Sequence, residues 1–412
     1  MVRHPDTPVT GRAAALRRLT QWCLAPLPAP PVALRRGPLR PGLFRSRLRS
    51  TRLSSQLGVA LGVAFAVCFA TGLLSHLIQH PPGWFWWPTR PVGLYRFTQG
   101  LHVATGLAAI PLLGVKLWSV YPHLFSWPPV RSIAHAAERA GTGLLVAAAL
   151  FLLVSGVLNI SRWYAPMPFF FTAGHYWVAW LVVGGLLVHI GVHLPAVRAA
   201  LARPTGEPRQ DGLNRRALLG GVAAASGLIT LTTVGQTLRP FTGLAVLAPR
   251  HPDIGPQGLP VNRTAAGARV RAAALDPAYR LRVTGPDRSV SLDLAALNRL
   301  PQYTADLPIA CVEGWSAIGT WTGVRLGDLV ALVGADPRRS TATVESLQVG
   351  GRYRACTVPP EHVGDPLTLV ALRLGGEPLH LDHGYPARLI AANRPGVLQT
   401  KWISRITVSG TS

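Results

Sequence analysis

Residues 310–321 read ACVEGWSAIGTW. A lone cysteine, Cys311, stands between an apolar, strand-like run and a turn rich in glycine, serine and tryptophan. This residue could be half of a disulfide, a nucleophile, a filler of the core or a thiolate that holds a metal. Disulfides persist mainly outside the cytosol, so the side of a membrane on which this stretch lies bears on its function.

The composition indicates a membrane protein. Of the 412 residues, 49% are hydrophobic and only 14% are charged, whereas soluble globular domains carry about 25% charged residues. Apolar runs of spanning length occur at about residues 54–78, 97–120, 140–160, 174–197 and 217–237. Each is close to the roughly 20 residues that a helix needs to cross the hydrocarbon core of a bilayer. The sequence therefore predicts five spans in contact with membrane lipid.

The net charge of +24 comes almost entirely from arginine, with lysine only at Lys116 and Lys401. Eleven arginines lie in residues 1–52 beside one acid, Asp6, and many prolines. Such a tail cannot bury a core, so we predict it to be disordered. A basic tail directly before a span is typical of a cytoplasmic flank, and nucleic acid is not expected as a partner.

The loops predict the orientation of the spans. Arginines precede span one and lie between spans two and three and between spans four and five, whereas residues 81–95 and 162–171 are poor in charge and rich in aromatics. Basic loops stay cytoplasmic, and aromatic residues favour the membrane interface. We therefore predict a multi-pass protein of the cell membrane, with a cytoplasmic N-terminus and an extracytoplasmic segment after about residue 238.

The fifth span begins with the pair Arg215–Arg216 before a weakly apolar run rich in glycine and alanine. This pattern resembles a twin-arginine export signal, which carries folded domains across the membrane. Ordinary anchoring by basic residues is the alternative.

Histidines within the spans are candidate functional residues, because ionisable groups are costly there. His175 and His189 are fourteen residues apart, which is about 21 Å of helix and nearly four turns. Residues 50–200 resemble the di-haem membrane cytochromes that serve as b-subunits of respiratory dehydrogenases. That resemblance implies an outer haem b held by His102 and His175, with His76 as an alternative, and an inner haem at His189 without an evident partner. Hydrogen bonding within a helical bundle, or binding of a quinone headgroup, stays open as the other interpretation.

After the linker at 241–260 the composition changes to shorter apolar runs with more charge. Strand-like segments start at about residues 279, 340, 368, 387 and 401, and helix-like segments at about 292 and 324. This alternation predicts a compact mixed α/β domain with its own core.

Two blocks within this domain carry a resemblance. CVEGWSAIGTWTGVRLGDLVALV at 311–333 and LDHGYPARLIAANRPGVLQTKWISRITV at 381–408 resemble, in the expected order, the molybdopterin-binding domain of the sulfite oxidase family. The CVExW form is closer to the branch with the methionine sulfoxide reductase catalytic subunits. The substrate-side arginine and tyrosine of true sulfite oxidases are not evident, so the resemblance does not carry sulfite as the substrate.

The resemblance implies that Cys311 is the thiolate ligand of molybdenum in a Mo-molybdopterin cofactor. A soft sulfur suits this metal, and a metal-bound thiol is deprotonated. The residues that the family's pattern places near the pterin are Asn262, Arg263, Ser346, His383, Arg388, Gln399, Thr400 and Lys401. A disulfide with Cys356, a thiol nucleophile beside His362, His380 or His383, and a structural cysteine remain alternatives for Cys311.

The predicted fold is a five-span helical bundle followed by a mixed α/β sulfite oxidase-type domain. The predicted domains are a tail at 1–52, a four-helix cytochrome-b-like domain at 53–200, a fifth span at 201–240, a linker at 241–260 and a molybdopterin-binding domain at 261–412. The predicted function is two-electron oxidoreduction of a small molecule, such as a methionine sulfoxide, with the quinone pool or another electron-transfer partner. A membrane-anchored binding protein with a cofactor-free fold is the alternative.

Overall fold

The computed structural model describes residues 15, 18, 32–36, 46, 48–125, 127, 129–202, 214–235 and 239–410. Most of the predicted disordered tail lies outside these residues. A short helix α1, Val32–Arg36, precedes five long helices. These are α2 Thr51–Gln79, α3 Leu94–Val120, α4 Ile133–Ile160, α5 Phe171–Ala202 and α6 Arg215–Val234. All five are long and apolar enough to cross a membrane, as predicted.

The chain divides into two compact units, and four of the five boundaries fall within the long helices. The first unit comprises the described parts of residues 1–63, 109–155 and 169–224. In it, Leu53 and Leu57 of α2 pack with Val222 of α6 in an apolar cluster. The Nζ of Lys116 in α3 donates to the backbone oxygen of Ser54 over 2.7 Å, which satisfies a cation inside a predicted span. Because the division does not follow the predicted domain limits, those limits stay a prediction.

The second unit comprises 64–108, 156–168 and 225–410 and contains two five-stranded sheets. The strands are β1 Leu281–Thr284, β2 Ser289–Leu292, β3 Tyr303–Ala310, β4 Ser316–Arg325, β5 Ser340–Ser346, β6 Ala355–Val358, β7 Leu369–Leu374, β8 Glu377–Pro378, β9 Arg388–Ile390 and β10 Ile403–Gly410. The helices are α7 Arg271–Leu275, α8 Leu294–Arg299, α9 Leu326–Ala331 and α10 Pro360–Val363. This β-rich α/β arrangement agrees with the prediction from the sequence.

The first sheet has the order β2-β1-β10-β5-β6, with β1 and β10 parallel and the other pairs antiparallel. One face of it forms the larger core, around Leu281, Val344 and Ile406. Alternating burial along β1 and β5 gives each strand one core face, which is the expected period of two. The N-terminus of α8 is capped because the Asp293 carboxylate accepts a hydrogen bond from the Ala296 amide over 2.7 Å.

The second sheet, β3-β4-β7-β8 with β9 beside β7, is antiparallel and carries the Cys311 segment. The sequence predicted a turn rich in glycine, serine and tryptophan after Cys311, but that turn is short, because β4 begins at Ser316. Ser316 pairs with Ala310, and the register continues to Gly323 opposite Tyr303. Inward side chains such as Trp321 are fully buried. Strand pairing and burial therefore stabilise the extended conformation of this segment over a longer loop.

Candidate cofactor-binding site

Cys311 lies at the start of a tight turn between β3 and β4. Its amide donates to the Trp315 carbonyl over 2.9 Å, and the Gly314 amide donates back to the Cys311 carbonyl over 3.1 Å. Gly314 has a φ of +90°, a left-handed conformation that favours glycine. A Cβ at Gly314 would also lie 3.3 Å from Val103. The turn therefore requires glycine, and it holds Cys311 almost fully buried, with 2% of its surface exposed.

Glu313 fixes the same turn through its carboxylate. Its Oε2 accepts hydrogen bonds from Trp315 Nε1 over 2.9 Å and from Arg250 Nε over 3.3 Å, and its Oε1 lies 3.5 Å from Arg162 Nε. A buried carboxylate with cationic partners is far less costly than an isolated one. The sequence analysis named neither Arg250 nor Glu313 as a site residue. Glu313 is the glutamate of the CVExW form, whereas no sequence pattern marks Arg250.

A pocket opens beside the Cys311 turn. Its lining residues are Pro260, Asn262, Ile309, Cys311, Trp315, Arg388, Gly396 and Lys401. Four of the residues proposed from the sequence, Cys311, Asn262, Arg388 and Lys401, are thus brought together, although up to 139 positions separate them along the chain. Gly396 contributes by its small size, because a Cβ there would lie 3.1 Å from Ile309 and 3.2 Å from the Ala310 oxygen.

Two cations face this pocket without a carboxylate partner among the described ion pairs. The Nη1 of Arg388 donates to the His383 carbonyl over 3.2 Å, its guanidinium lies 5.2 Å from the Trp321 ring centroid, and its buried Nε has no hydrogen-bond partner among the described residues. The Nζ of Lys401 donates to two carbonyls, those of Arg263 and Asp382, over 2.9 and 2.7 Å. Burial lowers the pKa of Arg388 to about 9 and that of Lys401 well below its ordinary value. An anion in the pocket would stabilise both charged forms.

The remaining residues proposed from the sequence lie outside the pocket lining and support the loops around it. His383 Nε2 lies 2.6 Å from the Pro256 carbonyl, and Gln399 Nε2 donates to the Arg394 carbonyl over 3.1 Å. The Ser346 hydroxyl donates to the Lys401 carbonyl over 2.7 Å. The Arg263 side chain donates to the Gly267 carbonyl over 3.2 Å. The contacts of His383, Gln399 and Ser346 hold the segment that carries Arg388 and Lys401.

The structure bears on the disulfide alternative for Cys311. Cys311 and Cys356 are both free thiols, and they belong to different apolar clusters. Thr400, another residue proposed from the sequence, donates its hydroxyl hydrogen to the Cys356 sulfur over 3.1 Å. Cys356 therefore has a structural environment of its own and does not pair with Cys311.

Each predicted haem ligand has a close neighbour within its own unit. In the second unit, His102 Nδ1 lies 2.8 Å from the Cys68 carbonyl, and the ring centroids of His76 and His80 lie 4.9 Å apart with the rings tilted. In the first unit, His175 Nδ1 lies 3.2 Å from the Ser155 hydroxyl. His189, also in the first unit, lies beside His193, with the ring centroids 4.4 Å apart and the rings tilted. No group of three or more His, Cys, Asp or Glu side chains in the described part of the chain could hold a metal ion. Haem ligation stays a prediction.

The buried histidines make the stability of the fold depend on pH. Burial lowers the pKa of His383 to about 4, whereas an unfolded histidine titrates near 6.5. As the pH falls, the unfolded chain therefore binds a proton at this residue before the folded chain does. The contribution of His383 to the folding stability is fully present above about pH 6.5 and is lost as the pH drops towards 4. We expect this one residue to lower the free energy of unfolding by about 2 kcal/mol at pH 5, relative to neutral pH. In cofactor-free full-length protein, His383→Gln, which keeps a donor for Pro256, should lose less stability between pH 8 and 5, measured as the shift in unfolding midpoint. An identical pH dependence in both proteins would contradict this.

The fold and the pocket define a class of site: a buried thiol beside two cations that form no ion pair with a carboxylate among the described residues, suited to an anionic, thiol-ligated cofactor. Comparison with known proteins agrees. Residues 268–412 match the model of the oxidoreductase molybdopterin-binding domain. The chain is 32% identical over 163 residues to the mitochondrial sulfite oxidase of Rattus norvegicus, covering 32% of this chain and 30% of that protein.

Two further relatives carry the names of protein-methionine-sulfoxide reductase subunits. The protein-methionine-sulfoxide reductase catalytic subunit MsrP of Gluconobacter oxydans is 29% identical over 221 residues, covering 48% of this chain and 70% of that protein. The putative protein-methionine-sulfoxide reductase subunit YedZ1 of Azospira oryzae is 28% identical over 223 residues, covering 53% of this chain and 82% of that protein. The C-terminal part of the chain is therefore a molybdopterin-binding oxidoreductase domain of the sulfite oxidase and MsrP type, and it implies a Mo-molybdopterin cofactor.

The residues present fit such a cofactor. The thiol of Cys311 supplies a soft ligand for the metal, and Arg388 and Lys401 supply positive charge, including a buried Nε without a partner, for the phosphate of the pterin. In the cofactor-free chain, burial raises the pKa of the Cys311 thiol, with the nearby Glu313 charge acting in the same direction. The protein alone thus keeps the thiol protonated, and the thiolate form depends on binding of the metal.

Proposed function

We propose that the chain is a membrane-bound, molybdopterin-dependent oxidoreductase that reduces a methionine sulfoxide-like substrate at an extracytoplasmic site. The observation that carries the chemistry is the convergence of Cys311, Arg388 and Lys401 on one pocket. Cys311 would hold the metal, and Arg388 and Lys401 the pterin phosphate. When bound, this cofactor supplies two-electron chemistry with transfer of an oxygen atom. In the overall reaction the S=O bond breaks, and the oxygen leaves as water with two electrons and two protons.

The substrate class is supported by two relatives, because one chain resembles both a catalytic subunit and a putative subunit of protein-methionine-sulfoxide reductase. The test is an assay of purified full-length protein with a reduced dye as electron donor. We expect dye oxidation to depend on methionine sulfoxide and to yield one methionine per two electrons. Activity only in the opposite direction, as sulfite oxidation with an artificial acceptor, would overturn the substrate class.

The membrane segment would carry electrons between the pocket and the quinone pool. The five apolar helices and their histidines support this, and the distribution of basic and aromatic loops supports an extracytoplasmic C-terminal domain. Haem b ligated by His102 and His175, with His76 and His189 as further ligands, would serve as the carrier. A reduced-minus-oxidised absorption spectrum tests this step. A b-type band is expected, and its absence from purified protein would leave the helices as an anchor.

A further inference from the structure

The Cys311 turn also contacts two of the long apolar helices, α3 and α4. The Nδ2 of Asn159, at the end of α4, donates to the carbonyl of Val312 over 3.1 Å. The Nε of Arg96, in the first turns of α3, donates to the hydroxyl of Ser316 over 3.0 Å. Both contacts lie within the second compact unit. Two apolar helices of spanning length thus each donate a hydrogen bond to the turn that follows Cys311, one at its start and one at its end.

The orientation of the Asn159 amide is determined by its neighbours. Its Oδ1 accepts a hydrogen bond from the Tyr164 hydroxyl over 3.1 Å. Burial, together with the nearby Glu313 charge, raises the pKa of Tyr164 to about 12, so this hydroxyl keeps its proton and donates. The Val312 carbonyl can only accept, which leaves the Asn159 Nδ2 as its donor. Asn159 is 5% exposed, so water does not readily replace this bond.

Apolar side chains of the same two helices pack against this turn. An ideal Cβ on Gly314 would lie 3.3 Å from Val103 of α3 and 3.8 Å from Ile160 of α4. The backbone of the turn is therefore seated directly against both helices. A buried loop held by hydrogen bonds and close packing has little freedom to open locally.

The segment just before Gly396, another residue of the pocket lining, is also held by hydrogen bonds to residues 87–95. Asn393, in the left-handed region with a φ of 55°, donates its Nδ2 hydrogen to the Pro88 carbonyl over 2.6 Å. Its Oδ1 accepts from the Tyr95 amide over 2.6 Å, and its carbonyl accepts from Trp87 Nε1 over 2.8 Å. Two residues further on, Pro395 bridges to Ala310, directly before Cys311.

We infer that Asn159 and Arg96 are positioning residues that set the geometry of the Cys311 turn, so that the apolar helices complete the cofactor site rather than merely anchor it. The inference rests on the proposed function only in treating this turn as the cofactor-binding turn. The contacts themselves are present without any cofactor, so they can be tested in cofactor-free protein.

The test is the rate at which a maleimide labels Cys311 in full-length protein made without the cofactor, followed by mass spectrometry of the Cys311 peptide. Asn159→Asp keeps the acceptor for Tyr164 but faces the Val312 carbonyl with a carboxylate oxygen. We expect labelling of Cys311 to become about tenfold faster or more. The matched control is Asn298→Asp, on the exposed surface of α8, where the side chain donates only to the Leu294 carbonyl. The control should label like the wild type.

Cys356 in the same sample separates positioning from general loosening, because it is a second buried, free thiol in another cluster. The inference requires that Asn159→Asp accelerate labelling of Cys311 and not of Cys356. Equal acceleration at both thiols, or no acceleration beyond the Asn298→Asp control, would overturn it. If Asn159→Asp does not fold, Arg96→Lys, which keeps the charge but lacks the Nε donor, is measured in the same way and judged by the same outcomes.

Cofactor-loaded protein gives a second readout. The electron paramagnetic resonance spectrum of the pentavalent metal should shift in Asn159→Asp and not in Asn298→Asp, since the spectrum responds to the ligand geometry. An unchanged spectrum in Asn159→Asp would contradict the inference. Absence of metal from the wild type would instead defeat the proposed function, and the labelling experiment would still decide the positioning role.

Discussion

Cys311→Ser should abolish the oxidoreductase activity, with a loss of at least about 100-fold expected when a metal-bound thiolate is removed. Serine preserves the size and the buried position, but its hydroxyl is a harder ligand that ionises far less readily than a thiol. The backbone of the turn should be retained, because its hydrogen bonds join main-chain groups of Cys311, Gly314 and Trp315. The measurement is turnover with methionine sulfoxide together with the metal spectrum of the same preparation.

Cys356→Ser is the matched control for this substitution. Cys356 is also buried and free, but its sulfur accepts a hydrogen bond from Thr400, which a serine oxygen can replace. We expect this variant to keep the activity and the metal spectrum of the wild type. If Cys311→Ser retained both of them as well, Cys311 would not be the metal ligand, and the structural-cysteine alternative would be correct.

Arg388→Met should lower the cofactor content of the purified protein by about tenfold or more, because charge-assisted hydrogen bonds to a phosphate each contribute about 1.5–3 kcal/mol. Stability in the cofactor-free state should respond differently. There the buried guanidinium makes a single described hydrogen bond, to the His383 carbonyl, and its replacement by an apolar side chain relieves the cost of burying a charge. We expect the free energy of unfolding of cofactor-free protein to change by less than about 2 kcal/mol.

Arg405→Met, in β10, is the control for Arg388→Met. Arg405 is half exposed, and its Nε lies 3.8 Å from the Glu345 carboxylate, a surface pair that contributes about 0–1 kcal/mol. Its cofactor content should match that of the wild type. An Arg388→Met protein with full cofactor content would remove Arg388 from the phosphate site, whereas a cofactor-free variant that failed to fold would show that the guanidinium is structural.

The five helices could be predicted because spanning length and apolar composition are local properties of each segment. The strands that begin near residues 281, 340, 369, 388 and 403 could be predicted for a similar reason, since each alternates or is continuously apolar. The β4 strand could not be separated from a loop in the same way. Its glycines at 319 and 323 and its serine are typical of turns, and its strand conformation depends on pairing with β3 and β7.

The candidate site could be predicted in part, through the resemblance of two sequence motifs to a known family. Cys311, Arg388 and Lys401 stand in two quoted motifs, and the fold brings those motifs to one pocket. Ser346, by contrast, was expected near the pterin, but its hydroxyl holds the Lys401 backbone. The contact of Asn159 with Val312 joins residues 153 positions apart, and no sequence pattern marks such a pair, because it depends on how a helix end and a strand turn pack.

Metal analysis of detergent-purified, full-length protein from a host that makes the cofactor tests the central claim most directly. The molybdenum and the pterin, the latter measured as its fluorescent oxidation product, are both determined per chain. The account predicts about one molybdenum and one pterin per chain, as expected for one cofactor held by the Cys311 thiolate in the pocket beside it. Protein that is folded but contains neither would contradict it, and the chain would then be a membrane-anchored binding protein with a cofactor-free fold.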